Sequence, residues 1–166
     1  MPPRVVLVGP PGSGKTTVGE LLAERMETTF DDTDRAVESA AGVTISEIFI
    51  EQGEEHFRAL ERGAVATALR ECHGVLALGG GAILDERTRE LLRDHVVVYL
   101  DIELADATKR VGMNRDRPLL LGNPRAQLHA LLQARRPFYE EVATHTISTS
   151  GKEPADVVSE IVAELT

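Results

Sequence analysis

Gly9-Pro10-Pro11-Gly12-Ser13-Gly14-Lys15-Thr16 fits the phosphate-loop pattern G-x-x-x-x-G-K-[ST]. Before it stands Arg4-Val5-Val6-Leu7-Val8, a short apolar run that suits a buried parallel strand. After it, Val18, Leu21, Leu22 and Met26 recur at helical spacing, so a helix opens near Lys15. The glycines let such a loop fold tightly around an anion with its N–H groups turned inward. The helix start adds partial positive charge. Lys15 is a point charge for β- and γ-phosphates, and the Thr16 hydroxyl is the expected ligand of Mg²⁺.

Outward from this loop, strand and helix signals alternate. Strands are expected at 4–8, 28–31, 75–78, 96–100 and 145–148. The clearest helix runs from about 54 to 72, with Phe57, Leu60, Ala64, Ala68 and Leu69 on one face. Pro154 opens the last helix, in the first turn where proline is favoured. The pattern predicts an α/β fold, a three-layer αβα arrangement around a five-stranded parallel sheet. Ligands of such sheets bind outside the carboxyl ends of the strands. The phosphate loop follows the first strand, Asp32 and Asp34 the second, and Gly79-Gly80-Gly81 the third, so all three should open onto one crevice.

At 166 residues the chain is expected to be a single domain, 1–166. Lysine and arginine number 18 against 27 aspartates and glutamates, a net charge of −9, which argues against nucleic acid and anionic membranes as partners. Cys72 is the only cysteine, so no disulfide can close within the chain, and its place on an apolar helix face predicts a buried, inert thiol. No signal-peptide pattern and no apolar run of spanning length are visible, and a cytoplasmic location is expected.

Asp32-Thr33-Asp34 places alternate carboxylates just past a strand, where both can face one site. One can help hold a metal while the other accepts a hydroxyl proton, the two tasks of phosphoryl transfer to an alcohol. Alternatively, Asp34 merely caps a helix over 35–40. Gly79-Gly80-Gly81 offers no side chain and suggests close approach of backbone to a ligand. Arg58 lies on the long helix beside Phe57 and Glu61, and Arg136 lies in Arg135-Arg136-Pro137-Phe138-Tyr139. Arg110, Arg115 and Arg117 surround the stretch 112–122, which is bounded by glycines and reads as a mobile lid that carries arginine to a phosphate. The histidines, His56, His73, His95, His129 and His145, show no metal-ligand spacing.

Taken together, the phosphate loop, Asp32/Asp34, Gly53-Glu54-Glu55-His56-Phe57-Arg58, the glycine triplet, Arg117-Pro118-Leu119-Leu120 and Arg136-Pro137-Phe138-Tyr139 resemble the shikimate kinase family, of the nucleoside-monophosphate-kinase-like branch of phosphate-loop proteins. The resemblance covers nearly the whole length. It implies transfer of the γ-phosphoryl of ATP to a hydroxyl of shikimate, giving shikimate 3-phosphate for aromatic amino-acid biosynthesis, with one Mg²⁺ per ATP, in a monomer. Gly12, Ser13, Gly14, Lys15, Thr16 and Thr17 would hold the nucleotide phosphates, with Thr16 and Asp32 toward the metal. Lys15, Asp34 and Arg117 would be catalytic, Asp34 as base or orienter and Arg117 over the transferring phosphate. Arg110 would lie near the adenine. Asp34, Arg58, Gly79, Gly80, Gly81 and Arg136 would bind shikimate, within a substrate region of about 33–61, with the two arginines on its carboxylate. Phe138 replaces the family's usual leucine, and the loop 149–154, where the family cradles adenine, is poorly matched. A gluconate kinase of the same branch and a nucleotide-binding sensor without chemistry are the rival readings.

Overall fold

The computed structural model describes residues 3–111 and 124–166. The elements run β1 (Val5–Val8), α1 (Lys15–Arg25), β2 (Phe30–Asp32), α2 (Thr33–Ala41), α3 (Ile45–Glu71), β3 (Val75–Ala77), a short 3₁₀ turn (Ala82–Leu84), α4 (Glu86–Leu92), β4 (Val97–Asp101), α5 (Leu104–Val111), α6 (Pro124–Val142), β5 (His145–Ser148) and α7 (Pro154–Leu165). All five strands pair in parallel in the order β2-β3-β1-β4-β5. The strands lie where the sequence expects them, with ends shifted by a residue or two.

Both faces of the sheet are covered, and this is why β1 reads as an unbroken apolar run. Val5 and Leu7 face a core built with Val18 and Leu22 of α1 and Val157, Val158 and Ile161 of α7. Val6 and Val8 face the opposite core, with Val65 and Leu69 of α3, Leu92 of α4 and Tyr139 of α6. The result is the three-layer αβα fold.

Register sets the site. Leu7 lies opposite Ala77, and Ala77 lies opposite Asp32, so β1, β3 and β2 end level. The loops that follow them leave from the same edge of the sheet.

One helix differs in part from expectation. α3 spans Ile45–Glu71 but is broken inside by Gly53 at φ 86°, ψ 167°, so the segment expected from about 54 does open there, and an earlier segment from Ile45 precedes it. That left-handed backbone favours glycine, and it separates a first segment of the helix from the one carrying Arg58. Leu60 does not share the buried face: it is 36% exposed, while Glu61 and Val65 turn inward with Phe57, Ala68 and Leu69. Pro154 does occupy the first turn of α7. Cys72 is half-buried against the α3 core, and burial first, then Asp31 beside it, pushes its thiol up to about 11, as expected of an inert cysteine.

Candidate active site

The phosphate loop is shaped by its glycines. Gly14 caps α1 in the left-handed region, at φ 88°. Lys15 folds back over the loop, its Nζ donating to the carbonyls of Gly9 at 2.7 Å and Pro10 at 3.2 Å. Ser13 is 1% exposed, and its Oγ has no hydrogen-bond partner among the described residues. A buried hydroxyl left over in an anion-binding loop fits a ligand that completes it.

Asp32 joins this loop to α2. The Thr16 hydroxyl donates to Oδ2 of Asp32 at 3.2 Å, and the amide of Asp34 donates to Oδ1 at 2.9 Å. The helix cap is therefore Asp32, and Asp34 stands in the first turn of α2. A hydroxyl and one carboxylate are hard oxygen donors, the sparse set from which Mg²⁺ is held together with phosphate oxygens and water. Among the described residues no three His, Cys, Asp or Glu side chains gather as a metal-ligand set, and the Thr16–Asp32 pair fits a magnesium ion that arrives with a nucleotide.

The glycine triplet makes room for the protein's own side chains. A Cβ on Gly79 would overlap Oδ1 of Asp34 and lie 2.8 Å from Oε2 of Glu61. On Gly80 it would sit 3.3 Å from Pro11 of the phosphate loop and 3.4 Å from Nη1 of Arg135. On Gly81 it would sit 2.5 Å from both terminal nitrogens of Arg58. Two hydrogen bonds hold the turn in place. The Gly79 amide donates to Oγ1 of Thr33 at 3.0 Å, and the Tyr139 hydroxyl donates to the Gly80 carbonyl at 2.6 Å. Tyr139 is buried and stacks on Tyr99, with ring centroids 5.0 Å apart. Burial pushes its hydroxyl up to about 12, so it stays a donor.

Arg58 is largely enclosed. Its Nη1 bonds Oε1 of Glu61 at 2.8 Å, Nη2 lies 3.3 Å from Glu54, and the guanidinium stands 5.3 Å from the centre of the Phe57 ring. Glu61 is 3% exposed, and burial raises its carboxyl above the ordinary range against the opposing pull of Arg58.

The expected pairing of Arg58 with Arg136 is corrected by this geometry. The Arg136 side chain is 44% exposed and reaches Asp101, 3.7 Å away, at the end of β4. The inward position belongs to Arg135, which is 6% exposed. Successive residues on a helix are turned by about 100°, so only one of the two can face the glycine turn. The buried stripe of α6 runs Leu128, Leu132, Arg135, Tyr139. Tyr139 is four residues after Arg135 and so shares its face.

Around one turn the structure gathers Lys15, Thr16, Asp32, Asp34, Arg58, Gly79, Gly80 and Gly81, together with Arg135, Glu61, Thr33 and Tyr139. Arg115, Arg117 and the expected lid 112–122 lie outside the described residues, as does the side chain of Arg110, whose backbone belongs to α5. No helix of the described residues is long and apolar enough to cross a membrane.

A shikimate kinase family model matches residues 11–166. The chain is 59% identical over 165 residues to the shikimate kinase of Salinispora arenicola, covering 99% of each. It is 58% identical over 163 residues to that of Thermobifida fusca, covering 98% of this chain and 95% of the other. Among solved structures, shikimate kinase from Acinetobacter baumannii in complex with shikimate is similar with a TM-score of 0.95 and 39% identity, over 99% of this chain and 93% of that one.

Proposed function

The chain belongs to the shikimate kinase family, an ATP-dependent kinase of shikimate, and on that premise we propose how its residues divide the work. Lys15 exchanges the carbonyls of Gly9 and Pro10 for the β- and γ-phosphates of ATP. The N–H groups of Gly12, Ser13, Gly14, Thr16 and Thr17 cradle the same phosphates. Thr16 and Asp32 would hold Mg²⁺, which when bound would neutralise charge on the phosphate oxygens. Arg117 closes over the transferring phosphoryl within a lid of about 112–122, and Arg110 lies near the adenine.

Shikimate sits against Gly79, Gly80 and Gly81, with its carboxylate between Arg58 and Arg135. Arginine's planar fork matches a carboxylate, and two forks fix the ring so that one hydroxyl faces Asp34. That hydroxyl oxygen forms the new bond to γ-phosphorus, the bond to the ADP oxygen breaks, and the hydroxyl proton passes to Asp34. No covalent enzyme intermediate is needed, so positioning and electrostatics supply the rate. The chain works as one domain, 1–166, with a substrate region of about 33–61. It is a monomer in the cytoplasm, with neither nucleic acid nor membrane as partner, in keeping with its charge of −9.

The observation that carries this reading is the convergence of Arg58 and Arg135 on the glycine turn, across from Asp34 and beside Pro11. The Acinetobacter enzyme's complex with shikimate supports the same acceptor. A coupled ADP-release assay tests it. Shikimate should drive turnover, its methyl ester should be a poor substrate, and gluconate should give none. An ester as good as the acid overturns the carboxylate clamp, and gluconate turnover equal to that of shikimate overturns the acceptor.

A further inference from the structure

Phosphoryl transfer, as assigned above, leaves one buried group without a task. Glu61 is 3% exposed; its Oε1 accepts from Arg58 at 2.8 Å, but its Oε2 has no hydrogen-bond partner among the described residues. That spare oxygen points at the Gly79 turn, where Oδ1 of Asp34 also lies. Among the described residues, the charged or titratable groups that face Glu61 are Asp34 from α2, Arg58 from its own helix, and Arg135 and Tyr139 from α6. Glu54 pairs with Arg58 from the exposed side.

With both carboxyls ionised, Asp34 and Glu61 match in number the two guanidiniums of Arg58 and Arg135. The enclosed set is balanced before substrate arrives. A carboxylate seated on the two guanidiniums adds a negative charge that nothing in the set offsets. In a place shielded from water such an excess is costly, and a group that can neutralise will do so.

We propose that Glu61 takes up one proton from solvent as the substrate carboxylate docks between Arg58 and Arg135, so that the acid is recognised together with a proton. This inference rests on the clamp reading above. The protonated carboxyl keeps Oε1 as acceptor for Arg58, and its new O–H on Oε2 finds its acceptor in Asp34 across Gly79. Arg58 is thereby released from a full counter-charge and binds the substrate more strongly. Burial already raises the Glu61 carboxyl above the ordinary range in the free protein, so the uptake starts from a group disposed to it. A bound carboxylate raises it further. Shikimate affinity therefore strengthens as pH falls through the window between the bound and free values of Glu61, and is flat below the free value.

Titration calorimetry with shikimate in phosphate and in Tris, from about pH 6 to pH 8, tests this, because the substrate's own carboxyl is ionised throughout. The wild-type heat should differ between the buffers by a proton uptake of up to one per site, falling toward zero at the alkaline end. Affinity should weaken with rising pH, by up to about tenfold per unit. In Glu61→Gln the amide oxygen still accepts from Arg58. This variant should bind shikimate with no buffer-dependent heat and a flat pH profile, which a merely structural role would not produce. Equal wild-type heats in both buffers across the range, or uptake that survives in Glu61→Gln, overturn the inference alone. Absence of any shikimate binding by the wild type overturns the clamp reading beneath it. Should Glu61→Gln fail to fold, the wild-type buffer pair decides by itself.

Discussion

Arg58 rests on Gly81: both terminal nitrogens of its guanidinium lie 2.5 Å from where a Cβ on that glycine would stand. No real Cβ tolerates such a distance, so Gly81→Ala must push the guanidinium away from the turn or shift the turn itself. Shikimate KM should rise tenfold or more, on the order of 1.4 kcal/mol, while the KM for ATP stays near normal. Steady-state kinetics with each substrate varied in turn separates the two. An unchanged shikimate KM would remove Arg58 from the substrate.

Arg135 and Arg136 give a test of register. Arg135→Lys should raise shikimate KM tenfold or more, on the order of 1.4 kcal/mol. Arg136→Lys should leave it within about a factor of two, because an exposed pairing at 3.7 Å contributes little. The opposite ranking would show that Arg136, not Arg135, meets the carboxylate.

Tyr139→Phe removes the donor that lies 2.6 Å from the Gly80 carbonyl. In a buried place the lost partner should cost about 1–3 kcal/mol of stability, read as a lower urea midpoint with unchanged slope. Turnover should fall as well, since the same bond holds the glycine turn. A stable variant with full turnover would reduce Tyr139 to packing.

Asp32→Asn should shift the Mg²⁺ requirement more than the ATP requirement. Its Oδ2 accepts from Thr16 and its Oδ1 from the Asp34 amide, and the amide side chain can keep only part of this. The Mg²⁺ concentration for half-maximal rate should rise about tenfold or more, as expected when a carboxylate leaves a hard-cation site. Titration of activity with Mg²⁺ at fixed ATP measures it.

Much of this was legible before any coordinates, because several signals are local. The phosphate loop needs only its glycines, its lysine and its flanks. The strands announce themselves as apolar runs. Asp32 and Asp34 are read from their place after β2. Side-chain direction on a helix is less local. Arg135 and Arg136 are chemically alike and adjacent, and only the stripe Leu128, Leu132, Tyr139 decides between them. That signal was present in the sequence, since Tyr139 lies four residues beyond Arg135. Glu61 was legible in the same way, three residues after Arg58, but nothing local says that its second oxygen is buried. In the sequence the triplet of glycines suggests close approach of backbone to a ligand. It is room first for Asp34, Glu61, Arg135 and Arg58, whose approach depends on three other segments of the chain.

Strand order has a mechanical side. β1, which carries the phosphate loop, is clamped between β3 and β4, whereas β2 is an edge that pairs, among the described strands, with β3 alone through Phe30, Asp31 and Asp32. The phosphate loop and the Asp32–Asp34 turn are thus held by parts of unequal stiffness, like work set between a fixed jaw and a sprung one. A local opening that peels β2 and α2 from the margin loosens Asp32 and Asp34 and leaves the phosphate loop on β1 and the glycine turn after β3 in place. Amide exchange should therefore be slower in the loops that leave β1 and β3 and faster in the turn that carries Asp32 and Asp34.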